Sequence, residues 1–201
     1  MQLMISPTSP YARKARVVLR EKGLEDRIEE HFLNPHQDPA ELLAQNRLGK
    51  IPVLVRGDGD ALYDSPVICE YLDALDGQPS LVPPDGDARW TVLRAQALAD
   101  GIMDLAAATV MERARPEGEQ SPGSMARWRE KIERAVAGIG EAVADAHGEI
   151  DLGRIALAVA LSYLDFRMPE YDWRGERPEL IDWHANLGAR QSMEQTAPPR
   201  G

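Results

Sequence analysis

Thr8-Ser9-Pro10-Tyr11-Ala12-Arg13 places a hydroxyl where a short apolar segment, Gln2–Ile5, gives way to a run with helical spacing. The free N–H groups and the macrodipole of a helix N-terminus favour negative charge. A thiolate docked there is stabilised and its pKa falls. Ser9 is placed to donate its O–H to such a sulfur. A serine at that point is also the ordinary helix N-cap, and spacing alone leaves both roles open. Ser6 is a second hydroxyl past the same segment, but it lies too early for the helix end.

Two further segments carry chemistry. Gly49-Lys50-Ile51-Pro52-Val53 puts a proline at the mouth of a β-branched run, where it cannot donate to a strand ladder. A cis Ile51–Pro52 bond in a tight bend turns the N–H and C=O of Ile51 outward, ready to pair with an extended peptide. A trans proline on an edge strand is the other reading. Asp64-Ser65-Pro66 then opens a helix. Ser65 and the first free N–H groups suit a carboxylate, and Asp64 suits an ammonium. Together they fit an α-amino acid group, although a plain serine cap beside an acid explains the same residues.

The elements that must position these residues alternate in type. Strands are expected at Gln2–Ile5, Ile28–Leu33, Ile51–Val55 and Ala61–Tyr63, with a turn at Gly57–Asp60. Helices are expected from Pro10 to a Gly23 stop, as a short turn over Pro39–Ala44, and from a Ser65 cap to Gly77. Residues 78–87 hold three prolines and read as a linker. Beyond them only helices are expected: Ala88–Arg115, a run through Trp128, Ile132, Ala135, Ile139 and Val143, an apolar and therefore central Leu152–Phe166, and Pro178–Arg190. Glu117–Ser124 reads as a mobile connection. The expected domains are an α/β unit over 1–77 and an all-α unit over 88–201.

Composition bounds the function. The chain has 201 residues and a net charge of −10. That acidity argues against a nucleic-acid binder, whose affinity comes from clustered Lys and Arg. A single cysteine, Cys69, excludes an internal disulfide and a Cys-rich metal site, and the four histidines lack metal-ligand spacing. Cys69 is expected in the core. No basic segment followed by an apolar one opens the chain, and its most apolar run, Ile155–Leu164, is too short to span a bilayer. A cytoplasmic protein with no metal, no nucleic acid and no membrane partner is expected.

S-P-Y-A-R, G-K-I-P-V-L and Y-D-S-P-V-I-C-E-Y-L, in that order and spacing, resemble the glutathione S-transferase superfamily. The resemblance runs over essentially the whole chain, and segments 97–104 and 160–167 are similar to bacterial members. It implies a thioredoxin-like N-terminal domain followed by an all-α helical domain. It implies a homodimer, with glutathione as co-substrate and a small electrophile as the second substrate, in the manner of detoxification enzymes. Ser9 matches the superfamily's catalytic serine or cysteine. S-P-Y-A also looks like a glutaredoxin C-P-Y-C without its cysteines, which makes disulfide exchange through it unlikely. The resemblance assigns Ile51 and Pro52 to the cysteinyl backbone, Asp64 and Ser65 to the γ-glutamyl group, and Lys50 and His36 to the glycyl carboxylate. Tyr11, Met103 and Met111 are candidates for the electrophile pocket, to which the tail after Arg190 is a further candidate contributor. A non-catalytic binding or regulatory protein of the same fold, or a peroxidase- or dehalogenase-like activity, are the alternative functions.

Two departures from the family pattern carry expectations. Asn46-Arg47 stands where many members have Asn-Pro, which is expected to shift the loop to Lys50. Asp151-Leu152-Gly153-Arg154 replaces a Ser/Thr-x-x-Asp capping box, and Gly153 and Arg154 are both unfavourable in a first turn. A weak helix start is expected unless Glu149 or Asp145 pairs with Arg154, and Arg154→Asp is expected to raise the melting temperature. Arg13, Lys14 and Arg16 are expected to form a solvated helix face.

Overall fold

A computed structural model describes residues 1–75, 79–143 and 149–199. Contacts divide it into two units: Met1–Pro83 together with the segment from Arg190 onward, and Pro84–Ala189. The tail, expected in the helical domain, instead makes its contacts with the first unit.

The first unit contains β1 (Gln2–Ile5), α1 (Pro10–Glu21), β2 (Glu29–Phe32), a 3-10 turn at Pro35–Gln37, α2 (Ala40–Gln45), β3 (Val53–Val55), β4 (Ala61–Leu62) and α3 (Ser65–Leu75). The strands form one sheet in the order β2-β1-β3-β4. β1 runs parallel to β2 and antiparallel to β3, with Met4 opposite Val53 and Leu3 opposite Leu54. Successive side chains of a strand point to opposite faces. Met4 and Val53 therefore share a face, where they pack with Leu42 of α2. Leu3 and Leu54 share the other and are fully buried. This is the mixed thioredoxin-like sheet, covered on both sides. β3 starts two residues later than expected, because Pro52 has no N–H to give to the ladder. α1 and α3 pack on one another, with Ala15, Val18, Leu19, Ile68, Cys69 and Leu72 all buried. The expected stop at Gly77 lies outside the described residues.

The second unit is all helical: α4 (Gly86–Arg113), α5 (Pro122–Ala137), α6 (Ile139–Ala142), α7 (Leu152–Arg167), α8 (Trp173–Glu176) and α9 (Ile181–Gly188), with 3-10 turns at Glu117–Glu119 and Pro178–Leu180. α7 is buried nearly all round and packs chiefly on α4. The helix expected through Val143 is broken at Gly138 into α5 and α6. The connection read as mobile is tied down. Gln120 Nε2 donates to the carbonyls of Arg113 and Arg115, and Ser121 N–H donates to Glu112 Oε1 at 2.7 Å.

The start of α7 corrects two expectations. Asp151 Oδ1 accepts from Arg154 N–H at 2.8 Å, and its Oδ2 pairs with Arg154 Nε at 3.3 Å. The partner of Arg154 is thus the capping carboxylate itself. Burial raises the Asp151 pKa, against the Arg154 N–H and charge, which lower it. Gly153 is there for space: a Cβ on it would lie 2.8 Å from Ala95 Cβ and 2.9 Å from Val92 O on α4. Asp145 lies outside the described residues.

The last helix, α10 (Gln191–Glu194), packs on α1. Arg190 grips Glu21 through two hydrogen bonds of 2.9 and 2.7 Å, and Ser192 Oγ donates to the same carboxylate. Burial alone would raise the Glu21 pKa, but these bonds and the Arg190 charge outweigh it and hold the carboxylate below its ordinary range.

Candidate functional site

Ser9 has extended backbone, as an N-cap needs, and its Oγ accepts from Ala12 N–H at 3.2 Å. Pro10 follows at the position where a missing N–H costs nothing. The cap bond uses an oxygen lone pair. Among the described residues no acceptor takes the hydroxyl hydrogen, so Ser9 caps the helix and keeps a donor. The two readings of Ser9 are therefore compatible. Tyr11, in the first turn, is half-buried.

The cations of α1 do not form a solvated face. Lys14 is 0% exposed, and Arg16 and Arg20 both bind Glu30. Arg13 donates from Nη2 to Met193 O at 3.1 Å, and burial together with the Arg16 charge pushes its pKa down to about 10. The helical period puts these residues between α1 and its neighbours, where their stems pack as apolar chain and their heads find acceptors.

The Ile51–Pro52 bond is cis. Ile51 is half-buried against the cluster of Met4, Leu42 and Val53. Neither its N–H nor its C=O has a hydrogen-bond partner among the described residues. Unpaired backbone groups next to a sheet are uncommon and mark an edge that can take another chain.

The loop before it is held by Asn46, 1% exposed. Its N–H donates to Leu42 O and its C=O accepts from Gly49 N–H. Its side-chain Oδ1 accepts from Leu48 N–H at 3.0 Å, and its Nδ2 donates to Lys50 O at 2.9 Å. Gly49 has φ +62°, the left-handed region that favours glycine. Arg47 and Lys50 are exposed. The sequence pattern marks this loop as a departure from the family and does not reveal the role of Asn46. The signal was an amide side chain at a helix C-terminus followed by a glycine turn.

At α3 the cap is Asp64, not Ser65. Asp64 O accepts from Ile68 N–H at 3.0 Å, so Ser65 and Pro66 are the first two helical residues. The N–H groups of Ser65 and Val67 are donors without an acceptor among the described residues. Ser65 is 2% exposed and Asp64 is exposed. His36 is also exposed, on the 3-10 turn before α2, and its N–H donates to Asn34 Oδ1. The two methionines divide. Met111 is 64% exposed, whereas Met103 is 0% exposed on the face of α4 that carries Ala99, Ile102 and Ala106. Met103 is therefore core and presents no surface to a substrate. Among the described residues no cluster of His, Cys, Asp and Glu is arranged for a metal, and no helix is long and apolar enough to cross a membrane.

Residues 8–75 match the glutathione S-transferase N-terminal domain, and residues 122–186 match the glutathione S-transferase C-terminal domain. The chain is 38% identical to the uncharacterized GST-like protein YibF of Escherichia coli K12 over 100% of both chains. It is similar to a glutathione transferase family member from Pseudomonas fluorescens Pf-5, solved with bound glutathione. Their TM-score is 0.95 and identity 41%, over 99% of each chain. A glutathione S-transferase from Methylobacillus flagellatus KT, solved with glutathione bound, matches with TM-score 0.92 and 38% identity over 98% of this chain and 99% of that one.

Proposed function

We propose that this chain, which belongs to the glutathione S-transferase family, binds glutathione in its first unit and activates the thiol for attack on a small electrophile. One observation carries the reading: the unpaired N–H and C=O of Ile51 beside the cis Pro52, in a chain whose solved relatives hold glutathione. The cysteinyl backbone of the tripeptide pairs with that edge. The γ-glutamyl carboxylate takes the Ser65 and Val67 N–H groups, and the exposed Asp64 carboxylate takes its ammonium. Lys50 and His36, both exposed, are the candidates for the glycyl carboxylate.

The thiol then reaches the N-terminus of α1. It loses its proton to solvent, and the sulfur anion accepts the Ser9 O–H while Ala12 N–H holds the Ser9 oxygen in place. Each unit of thiol pKa depression corresponds to about 1.4 kcal/mol of thiolate stabilisation. A hydrogen bond to a charged acceptor and a helix end supply about one to three units. The thiolate electron pair forms the new carbon–sulfur bond. The leaving group departs with its own bonding pair or, for an addition, the electron pair of the double bond takes up a proton. Chain residues position and polarise, and none becomes covalently attached.

A homodimer is part of this proposal, supported by family membership and by exposed apolar side chains at Leu48, Val67 and Trp90. Light scattering checks it, and a monomer mass refutes it.

The test is calorimetric titration with reduced glutathione, then conjugation kinetics for wild type and Ser9→Ala. The expected result is one site per chain, with the variant still binding but its bound thiol pKa raised by about one unit. Absence of binding at millimolar glutathione refutes the reading. Binding without turnover of any electrophile favours the non-catalytic alternative, and an unchanged thiol pKa in Ser9→Ala removes the role of Ser9.

A further inference from the structure

We propose that Asn46 is the positioning residue that aims the Ile51 N–H at the ligand, an inference that rests on the glutathione reading above. The loop between α2 and β3 leaves two inward backbone groups, Leu48 N–H and Lys50 C=O, that its own turn does not pair. Partly buried backbone groups of this kind are stabilised by partners. The Asn46 amide has an acceptor side and a donor side, and it satisfies one group with each, at 3.0 and 2.9 Å. Its own backbone is fixed at both ends, to Leu42 O and Gly49 N–H. It is itself 1% exposed.

The consequence follows from peptide geometry. Lys50 C=O and Ile51 N–H belong to one planar peptide unit, and that unit is trans, since among the described residues the cis bonds are at Ile51–Pro52 and Tyr63–Asp64. In a trans unit the C=O and the N–H point in opposite directions. Drawing Lys50 O toward Asn46 Nδ2 therefore turns Ile51 N–H away from the loop interior. The side chain of Ile51, packed on Leu42 and Val53, fixes the following peptide from the other side. Asn46 touches no ligand atom in this scheme; it sets the plane that does. Arg47 is exposed and takes no part in the clamp.

Asn46→Ala and Asn46→Asp test this. Asn46→Asp keeps the shape and the acceptor for Leu48 N–H but sets a carboxylate oxygen against Lys50 O, so it probes the one bond that orients the plane. It also carries the test if Asn46→Ala does not fold. Both variants are expected to bind glutathione about tenfold more weakly than wild type, the effect of losing the partly buried bond to Lys50 O that both variants lack. The pKa of the bound thiol, read by thiolate absorbance, is expected to stay at the wild-type value, because Ser9 and α1 are untouched. Wild-type affinity in a folded variant overturns the proposal. So does a thiol pKa that moves with the affinity, since that marks general disruption of the unit. If wild type itself binds no glutathione, the functional reading fails first and the positioning role fails with it; if wild type binds and both variants bind equally well, only the positioning role fails.

Discussion

Replacing Gly153 by alanine sets two physical effects against each other at the start of α7. Alanine removes the conformational freedom of glycine in a helix, a gain of up to about 1 kcal/mol. Against it, the new methyl would lie 2.8 Å from Ala95 Cβ and 2.9 Å from Val92 O. Favourable carbon contacts lie near 3.5–4.0 Å, and neither neighbour is the far end of a flexible side chain. Forcing an extra carbon into such a site costs about 1–3 kcal/mol. The overlap wins, and the expected net loss is about 1–2 kcal/mol. In a chain of this size that lowers the melting temperature by about 3–6 °C. Scanning calorimetry of wild type, Gly153→Ala, Ala95→Gly and the double variant measures it. Ala95→Gly clears one contact and leaves the Val92 carbonyl and Asp151 Oδ1, 3.1 Å away, so the double variant should melt higher than the sum of the single losses predicts. A Gly153→Ala protein that melts at or above wild type, or single effects that simply add, would refute the close-approach argument.

Two further outcomes are expected. Arg154→Asp exchanges the ion-pair partner of Asp151 for a second carboxylate, so it should lower the melting temperature by about 2–4 °C rather than raise it; a rise would restore the expectation drawn from capping patterns. The clasp of Arg190 and Ser192 on Glu21 holds that carboxylate below its ordinary pKa, so its stabilisation is present above about pH 4.5 and is lost as pH falls through the folded-state value. The gap in melting temperature between wild type and Glu21→Gln should therefore be widest near neutrality and close in acid; a gap independent of pH would contradict it.

The family and the order of most elements are legible in the chain alone. Helix starts at Pro10 and near Ser65, the β-branched run at Val53, and the apolar α7 are written in stretches of a few residues, because capping, turn chemistry and periodicity are local. The three motifs at Ser9, Ile51 and Ser65 were legible for the same reason, and each lies at an element boundary where backbone groups are left over. The remaining features depend on neighbours distant in the chain. Gly153 reads as a weak point until Val92 and Ala95 are laid against it, some sixty residues earlier. The cations of α1 read as a wet face until Glu30 and the Met193 carbonyl close over them. Met103 reads like Met111 until packing buries one and leaves the other open. The tail returns to α1 because Glu21 and Arg190, 169 positions apart, meet there. Local pattern fixes which groups are left unsatisfied; only the folded chain decides which distant residue satisfies them, because hydrogen bonding and close packing act through space and take no account of sequence separation.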